Sequence, residues 1–353
     1  SASGPSGISS SPFTAHPARP SGPAAGADSA GEGARVGHPG QPYGGAGVVS
    51  APAQVVYDLV ADVTLWPAVF GPSVYVRHLE RDERSEVFEI WAQVNGKVTS
   101  WTSRRVLDPA RRYVSFRQQR SFAPVTSMAG SWLLRELPDG RTEVVLRHRF
   151  SVEDDAPAAV EALLTALDRN SGEELAALAR VAELGHPVAD VVFSFTDVVP
   201  ITGGAAAAYD FVNRADLWAE RLPHVSRVRL TEDEPGVQDL EMDTVTADGS
   251  AHTTRSVRIC HEPSWIAYKQ HVLPKLLTGH SGLWTFTDGP EGPVATARHT
   301  VALNPATVRE VLGEQATLAD ARAFVREALG RNSLTTMTHA AAHTGEDSQV
   351  SAA

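Results

Sequence analysis

One cysteine, Cys260, in 353 residues leaves no partner for an intramolecular disulfide and excludes a zinc site built from several thiolates. No His-Glu-x-x-His, Cys-x-x-Cys or EF-hand spacing occurs, so no metal site is expected. Gly203-Gly204 lacks the Gly-x-Gly-x-x-Gly spacing of a dinucleotide turn, and no Gly-x-Ser-x-Gly elbow marks a hydrolase serine. No cofactor is expected either. Apolar runs stay short of the roughly 20 residues that cross a membrane as a helix. The Ser-, Gly-, Pro- and Ala-rich amino terminus has no compact apolar core, unlike a secretory signal, so the cytoplasm is the default expectation. Basic residues are outnumbered, 31 Lys+Arg against 42 Asp+Glu, and the net charge of −11 argues against a nucleic-acid partner.

What the chain does contain is the same segment twice. Tyr57-Asp58-Leu59-Val60 leads to Leu65-Trp66, and Tyr209-Asp210-Phe211-Val212 leads to Leu217-Trp218, an offset of 152 residues. Trp132 and Trp284 keep that offset, and Arg147-His148 recurs as Arg298-His299. Arg169-Asn170-Ser171 returns as Arg331-Asn332-Ser333. Four landmarks in one order imply two copies of a domain, each long enough at about 150 residues to bury its own core.

Residues 1–44 are too poor in large apolar side chains to order themselves and read as a flexible tail, as do 344–353. The copies then span 45–186 and 187–343. In copy one the strand Gly47–Ser50 precedes a short helix, Ala53–Ala61, with Val56, Leu59 and Val60 on one face. Period-two alternation follows through Phe88, Ile90, Ala92 and Val94, and Asn95-Gly96 closes a hairpin. Further strands are expected at Val98–Leu107, Tyr113–Arg120, Ser131–Glu136 and Glu143–Val152, then one long helix from Pro157 to near Gly185. Copy two repeats the order, with a strand over Val191–Val199 and a helix from about Pro305 to Ala341. This is α+β: a curled antiparallel sheet around a long helix, with a pocket between them.

Trp101, Ser103 and Arg105 share one strand face, an aromatic, a hydroxyl and a guanidinium in a row. Such a stripe is either a pocket wall or a solvated face. His148 lies on the apolar face Val144, Leu146, Phe150, and His299 sits likewise among Ala295, Ala297, Val301 and Leu303. An inward histidine is either a satisfied core residue or a cavity residue able to exchange protons near neutral pH.

Together, Val48-Val49-Ser50-Ala51-Pro52, Asp62 to Trp66-Pro67, the Trp101-x-Ser103-x-Arg105 stripe, Trp132 and the Arg-His-x-Phe strand ending at Phe150 resemble the two-domain aromatase/cyclases of bacterial type II aromatic polyketide synthesis. The likeness spans about residues 45–340. It implies two tandem helix-grip domains of the START and Bet v1 type. It also implies a cofactor-free enzyme that takes a ketoreduced poly-β-ketone from an acyl carrier protein, joins carbons 7 and 12, and removes water. The partners implied are that carrier, a ketosynthase pair and a ketoreductase.

Residue by residue, the resemblance carries Arg105, Ser103 and His148 over as catalytic candidates. Trp66, Trp101 and Trp132 would be pocket walls, with core packing the other role open to Trp132. Ser73 stands where some single-domain members place a tyrosine, and His148 where they place a glutamine. Asn170 on the long helix either faces the pocket or is solvated. Aligned through Thr254-Arg255-Ser256-Val257, copy two would replace tryptophan, serine and arginine by His252, Thr254 and Ser256, with Arg258 sharing that face. Trp218, Trp284, His299 and Asn332 complete the second pocket. Two roles stay open for copy two: dehydration and aromatisation through His252 and His299, or a scaffold with a decayed pocket. The rival function is a non-catalytic carrier of lipids or polyprenyl quinones, whose pocket would be more apolar.

Overall fold

A computed structural model describes residues 43–119, 124–245 and 249–345. The tails expected over 1–44 and 344–353 lie almost wholly outside these residues, as does Arg120 at the end of one expected strand. The chain forms two compact units. Among these residues, one unit holds 43–66 and Val76–Val188, and the other holds Pro67–Tyr75 and 189–345.

Copy one runs β1 (Tyr43–Val49), α1 (Ala53–Ala61), a 3-10 turn at Val63–Leu65, and α2 (Trp66–Val69). Then come β2 (Ser73–Arg81), β3 (Ser85–Val94), β4 (Lys97–Asp108), β5 (Tyr113–Gln118), β6 (Val125–Glu136), β7 (Thr142–Val152) and α3 (Pro157–Ala182). Alternation dictates these strands: on β7, Val144, Leu146, His148 and Phe150 are buried while Arg147 and Arg149 face solvent. Asn95 and Gly96 take positive φ in the β3–β4 turn, as their side chains permit. The seven strands are ordered β1-β7-β6-β5-β4-β3-β2, each antiparallel to its described neighbours.

Copy two repeats this with α4 (Val188–Val191), β8 (Val192–Pro200), α5 (Ala205–Asn213), α6 (Trp218–Arg221), β9 (Val225–Glu234) and β10 (Val237–Val245). β11 (Ala251–His261), β12 (Trp265–Gln270), β13 (Leu277–Gly289), β14 (Gly292–Leu303), α7 (Val308–Leu312) and α8 (Leu318–Ala342) follow. Its sheet order, β8-β14-β13-β12-β11-β10-β9, matches the first.

The single helix expected over Pro305–Ala341 is broken. Gly313 takes φ 110°, open to glycine but strained for other residues, and ends α7. Thr317 then starts α8 with a reciprocal cap: its Oγ1 accepts from Asp320 N at 3.2 Å, and Asp320 Oδ2 accepts from Thr317 N at 2.8 Å.

The two long helices bury different faces. α3 lays Val160, Leu163 and Leu167 against Val125, Met128, Phe150 and Val152. The buried face of α8 carries Ala321, Val325, Gly330, Ser333 and Thr336 instead. Small and hydroxylic side chains fill less space than leucines, and a cavity of about 670 Å³ lies between α8 and its sheet.

Candidate active site

One cross-strand row builds each grip. In the first unit the paired positions are Glu86, Arg105, Phe116, Gly130 and His148. In the second they are Gln238, Arg258, Tyr268, Gly282 and His299. Arg258 is therefore the structural twin of Arg105, and Ser256 that of Ser103. The alignment read from sequence was two residues out of register; the arginine is retained, and tryptophan alone of the stripe is lost, to Thr254. Contacts agree with the row. Arg105 donates to Val60 O and Arg258 to Val212 O, and each guanidinium lies 5.2 Å from the ring centre of its tryptophan, Trp66 or Trp218.

The surroundings of the two arginines differ. Arg105 donates from Nε to Glu86 Oε1 at 2.8 Å, from Nη1 to Val60 O at 2.8 Å and from Nη2 to Ala61 O at 2.6 Å. Burial pushes the Glu86 carboxyl up, but the His78 hydrogen bond and the Arg105 charge hold it below its ordinary value. Arg105 is thus charge-paired and holds the end of α1. Trp66, Trp101, Trp132, Ser103 and His148 are all buried in the first unit. His148 meets Phe116 edge-on at 5.7 Å. Asn170 is half-buried on α3. Ser73 is buried but belongs to the stretch that groups with the second unit.

In that second unit every expected pocket residue lines the cavity: Trp218, His252, Thr254, Ser256, Arg258, Trp284, His299 and Asn332. His252 stands on an exposed end of β11, whereas His299 is buried, so these two histidines do not form a pair. Sequence reasoning missed Tyr268, His280 and Ser333, which do join His299. His280 Nε2 lies 2.9 Å from His299 Nδ1, Tyr268 OH lies 3.4 Å from the same atom, and His299 Nε2 lies 3.1 Å from Ser333 Oγ. The repeat hid His280, because its twin is Met128. Val272, Val311 and Phe324 are exposed on the lining and form an apolar rim.

One set of proton positions satisfies every contact of this chain. Ser333 Oγ is within 3.1 Å of Leu329 O and 3.2 Å of Gly330 O, so its one proton goes to a helix carbonyl. Its oxygen then accepts from His299 Nε2–H, His299 Nδ1 keeps a lone pair, and His280 Nε2–H donates to it. His280 Nδ1 is left with a lone pair and bonds to no described residue. Burial holds both imidazoles neutral: it pushes His280 well below its ordinary pKa, helped by His299, and His299 down to about 4, helped by the Arg326 charge. A neutral lone pair beside a sealed relay can take up and return a proton.

The family model described as "Polyketide cyclase / dehydrase and lipid transport" matches residues 49–178 and 204–325. The granaticin polyketide synthase bifunctional cyclase/dehydratase of Streptomyces violaceoruber is 64% identical over 294 residues, 83% of this chain and 91% of that protein. The actinorhodin polyketide synthase bifunctional cyclase/dehydratase of Streptomyces coelicolor is 52% identical over 305 residues, covering 84% and 94%. Among solved structures, the di-domain ARO/CYC BexL from the BE-7585A biosynthetic pathway superposes with a TM-score of 0.73 at 46% identity, covering 86% of this chain and 98% of that one.

Proposed function

The chain belongs to the polyketide cyclase/dehydrase and lipid-transport family and is a polyketide cyclase/dehydratase; from that premise we propose that water is lost in the cavity of its second unit. The substrate is a ketoreduced poly-β-ketone delivered on an acyl carrier protein by a ketosynthase pair and a ketoreductase, and the ring first closes between carbons 7 and 12. Ring closure needs chiefly a folded chain, which a tryptophan-walled grip provides. Elimination needs a proton carrier, and the buried His280–His299–Ser333 chain on the cavity wall is the observation that carries this reading.

In this mechanism His280 Nδ1 removes the proton from the carbon between the ketone and the hydroxyl-bearing carbon. Arg258 on the cavity wall offsets the charge of the enolate that forms. The enolate collapses to a carbon–carbon double bond, the carbon–oxygen bond breaks, and His280 returns the same proton to the departing hydroxyl. One water leaves and no electrons are exchanged. His299 and Ser333 act by position, keeping the His280 lone pair turned to the substrate. A carrier of lipids has no use for such a chain, which weighs against the rival function.

The test is the full chain with a minimal synthase and ketoreductase. His280→Met places the residue found at the matched position of copy one. The cyclised but still hydroxylated product is expected to accumulate, with dehydration slowed about 10²- to 10⁴-fold, the usual worth of a general acid–base group. Aromatic product at the wild-type rate overturns the assignment.

A further inference from the structure

Resting on that assignment of the cavity, we propose that the second unit selects its guest as an anion, the enolate or phenolate of a cyclised polyketone, and that Gln238 sets this preference. The two grips share a row, so they act as internal controls. In the first, Glu86 sits opposite Arg105 and cancels its charge at 2.8 Å, while Glu86 Oε2 also meets His78 Nε2 at 2.7 Å. In the second, the matched position is Gln238, which cannot neutralise anything. Its amide nitrogen donates instead to Asn213 O at 3.3 Å and Glu232 Oε2 at 3.4 Å, and its oxygen bonds to no nitrogen of Arg258.

Arg258 is 2% exposed, and among the described residues no carboxylate stands within ion-pair distance of it. Arg258 lines the cavity, and its buried Nη1 makes no hydrogen bond. A buried guanidinium without an ion-pair partner is costly, and the Trp218 face at 5.2 Å and the more distant Glu232 charge offset only part of that cost. A guest that brings an anionic oxygen against this wall supplies the missing counter-charge. Trp218, Tyr268 and Trp284 on the same lining offer flat apolar faces, which suit a conjugated ring over a saturated lipid tail. The same oxyanion arises during elimination, so a site built for the anion favours the developing charge over the neutral ketone.

The experiment titrates the full chain with two probes of one shape and different charge, 2-naphthoate and 2-naphthamide. Wild type is expected to bind the naphthoate at least tenfold more tightly. Gln238→Glu should abolish that advantage while leaving the naphthamide affinity unchanged, and Gln238→Leu should keep it. If Gln238→Glu fails to fold, Arg258→Met decides: the neutral probe binds as before and the anion loses its advantage. Equal affinities in wild type, or an advantage that survives Arg258→Met or a folded Gln238→Glu, overturn the proposal. The underlying assignment fails separately. A protein that prefers the anion yet dehydrates at full rate as His280→Met keeps the charge preference and loses the mechanism. One that binds both probes alike but stalls as His280→Met does the reverse.

Discussion

His299 is neutral in the folded protein down to a pH of about 4, because it is buried and lies near the Arg326 charge. In the unfolded chain it titrates near about 6.5. Between those values the unfolded state holds a proton that the folded state lacks. Stability therefore falls as pH drops from about 6.5 toward 4 and is unaffected by this group above that window. A shift of this size corresponds to roughly 3 kcal/mol from one histidine. His280 acts in the same direction. His299→Phe, which preserves the stacking on Phe195 at 5.0 Å, should lose less stability than wild type between pH 7.5 and 4.5 in urea titrations. Parallel losses would mean that the site is protonated without cost. His299 was legible in the sequence because alternation places it on an apolar face. His280 was not: its strand has a register shift between Leu277 and Gly279, and its twin is an ordinary core methionine.

The antiparallel run was legible, and β4, β5 and β7 match their expected bounds within two residues because alternation reports a half-buried strand directly. β2 was not foreseen, and β6 starts at Val125, six residues before the expected Ser131. The register of β11 was not legible either. A slip of two residues leaves each side chain on the same face, so period two cannot reveal it, and only the pairing of Gln238 with Arg258 does. The row also explains a glycine that pattern alone leaves unremarked. A Cβ on Gly282 would stand 2.1 Å from Tyr268 Cζ and 2.2 Å from its hydroxyl. Gly130 relates to Phe116 in the same way, at 2.5 Å from Cζ. Gly282→Ala should therefore push Tyr268 off His299 and cost about 1–3 kcal/mol, the range for overpacking a filled core. Denaturation gives the cost, and the tyrosine ring resonances report the displacement. An alanine protein of unchanged stability and unchanged tyrosine environment would contradict the row.

At the scale of the molecule, the repeat suggests a cut near residue 186, but the second unit also owns Pro67–Tyr75. Lys269, on the face of β12 opposite Tyr268, explains why. Its ammonium is buried and donates to Pro67 O, Phe70 O and Ser73 O, each at 2.8 Å, so every N–H has a carbonyl of that stretch. Tyr75 and Trp265 pack at 5.0 Å beside it. No sequence pattern announces such a lysine, because its partners are backbone carbonyls some 200 positions away. Lys269→Met should cost the full chain about 3 kcal/mol, since three buried carbonyls lose a charged donor together. A fragment starting at residue 187 lacks those carbonyls, so it should be less stable than the second unit of the full chain, and the same substitution should cost it almost nothing. Chemical denaturation of the four proteins measures the coupling as in a double-mutant cycle. Equal costs in chain and fragment would show that Lys269 acts by packing alone, and that the second unit begins where the repeat does.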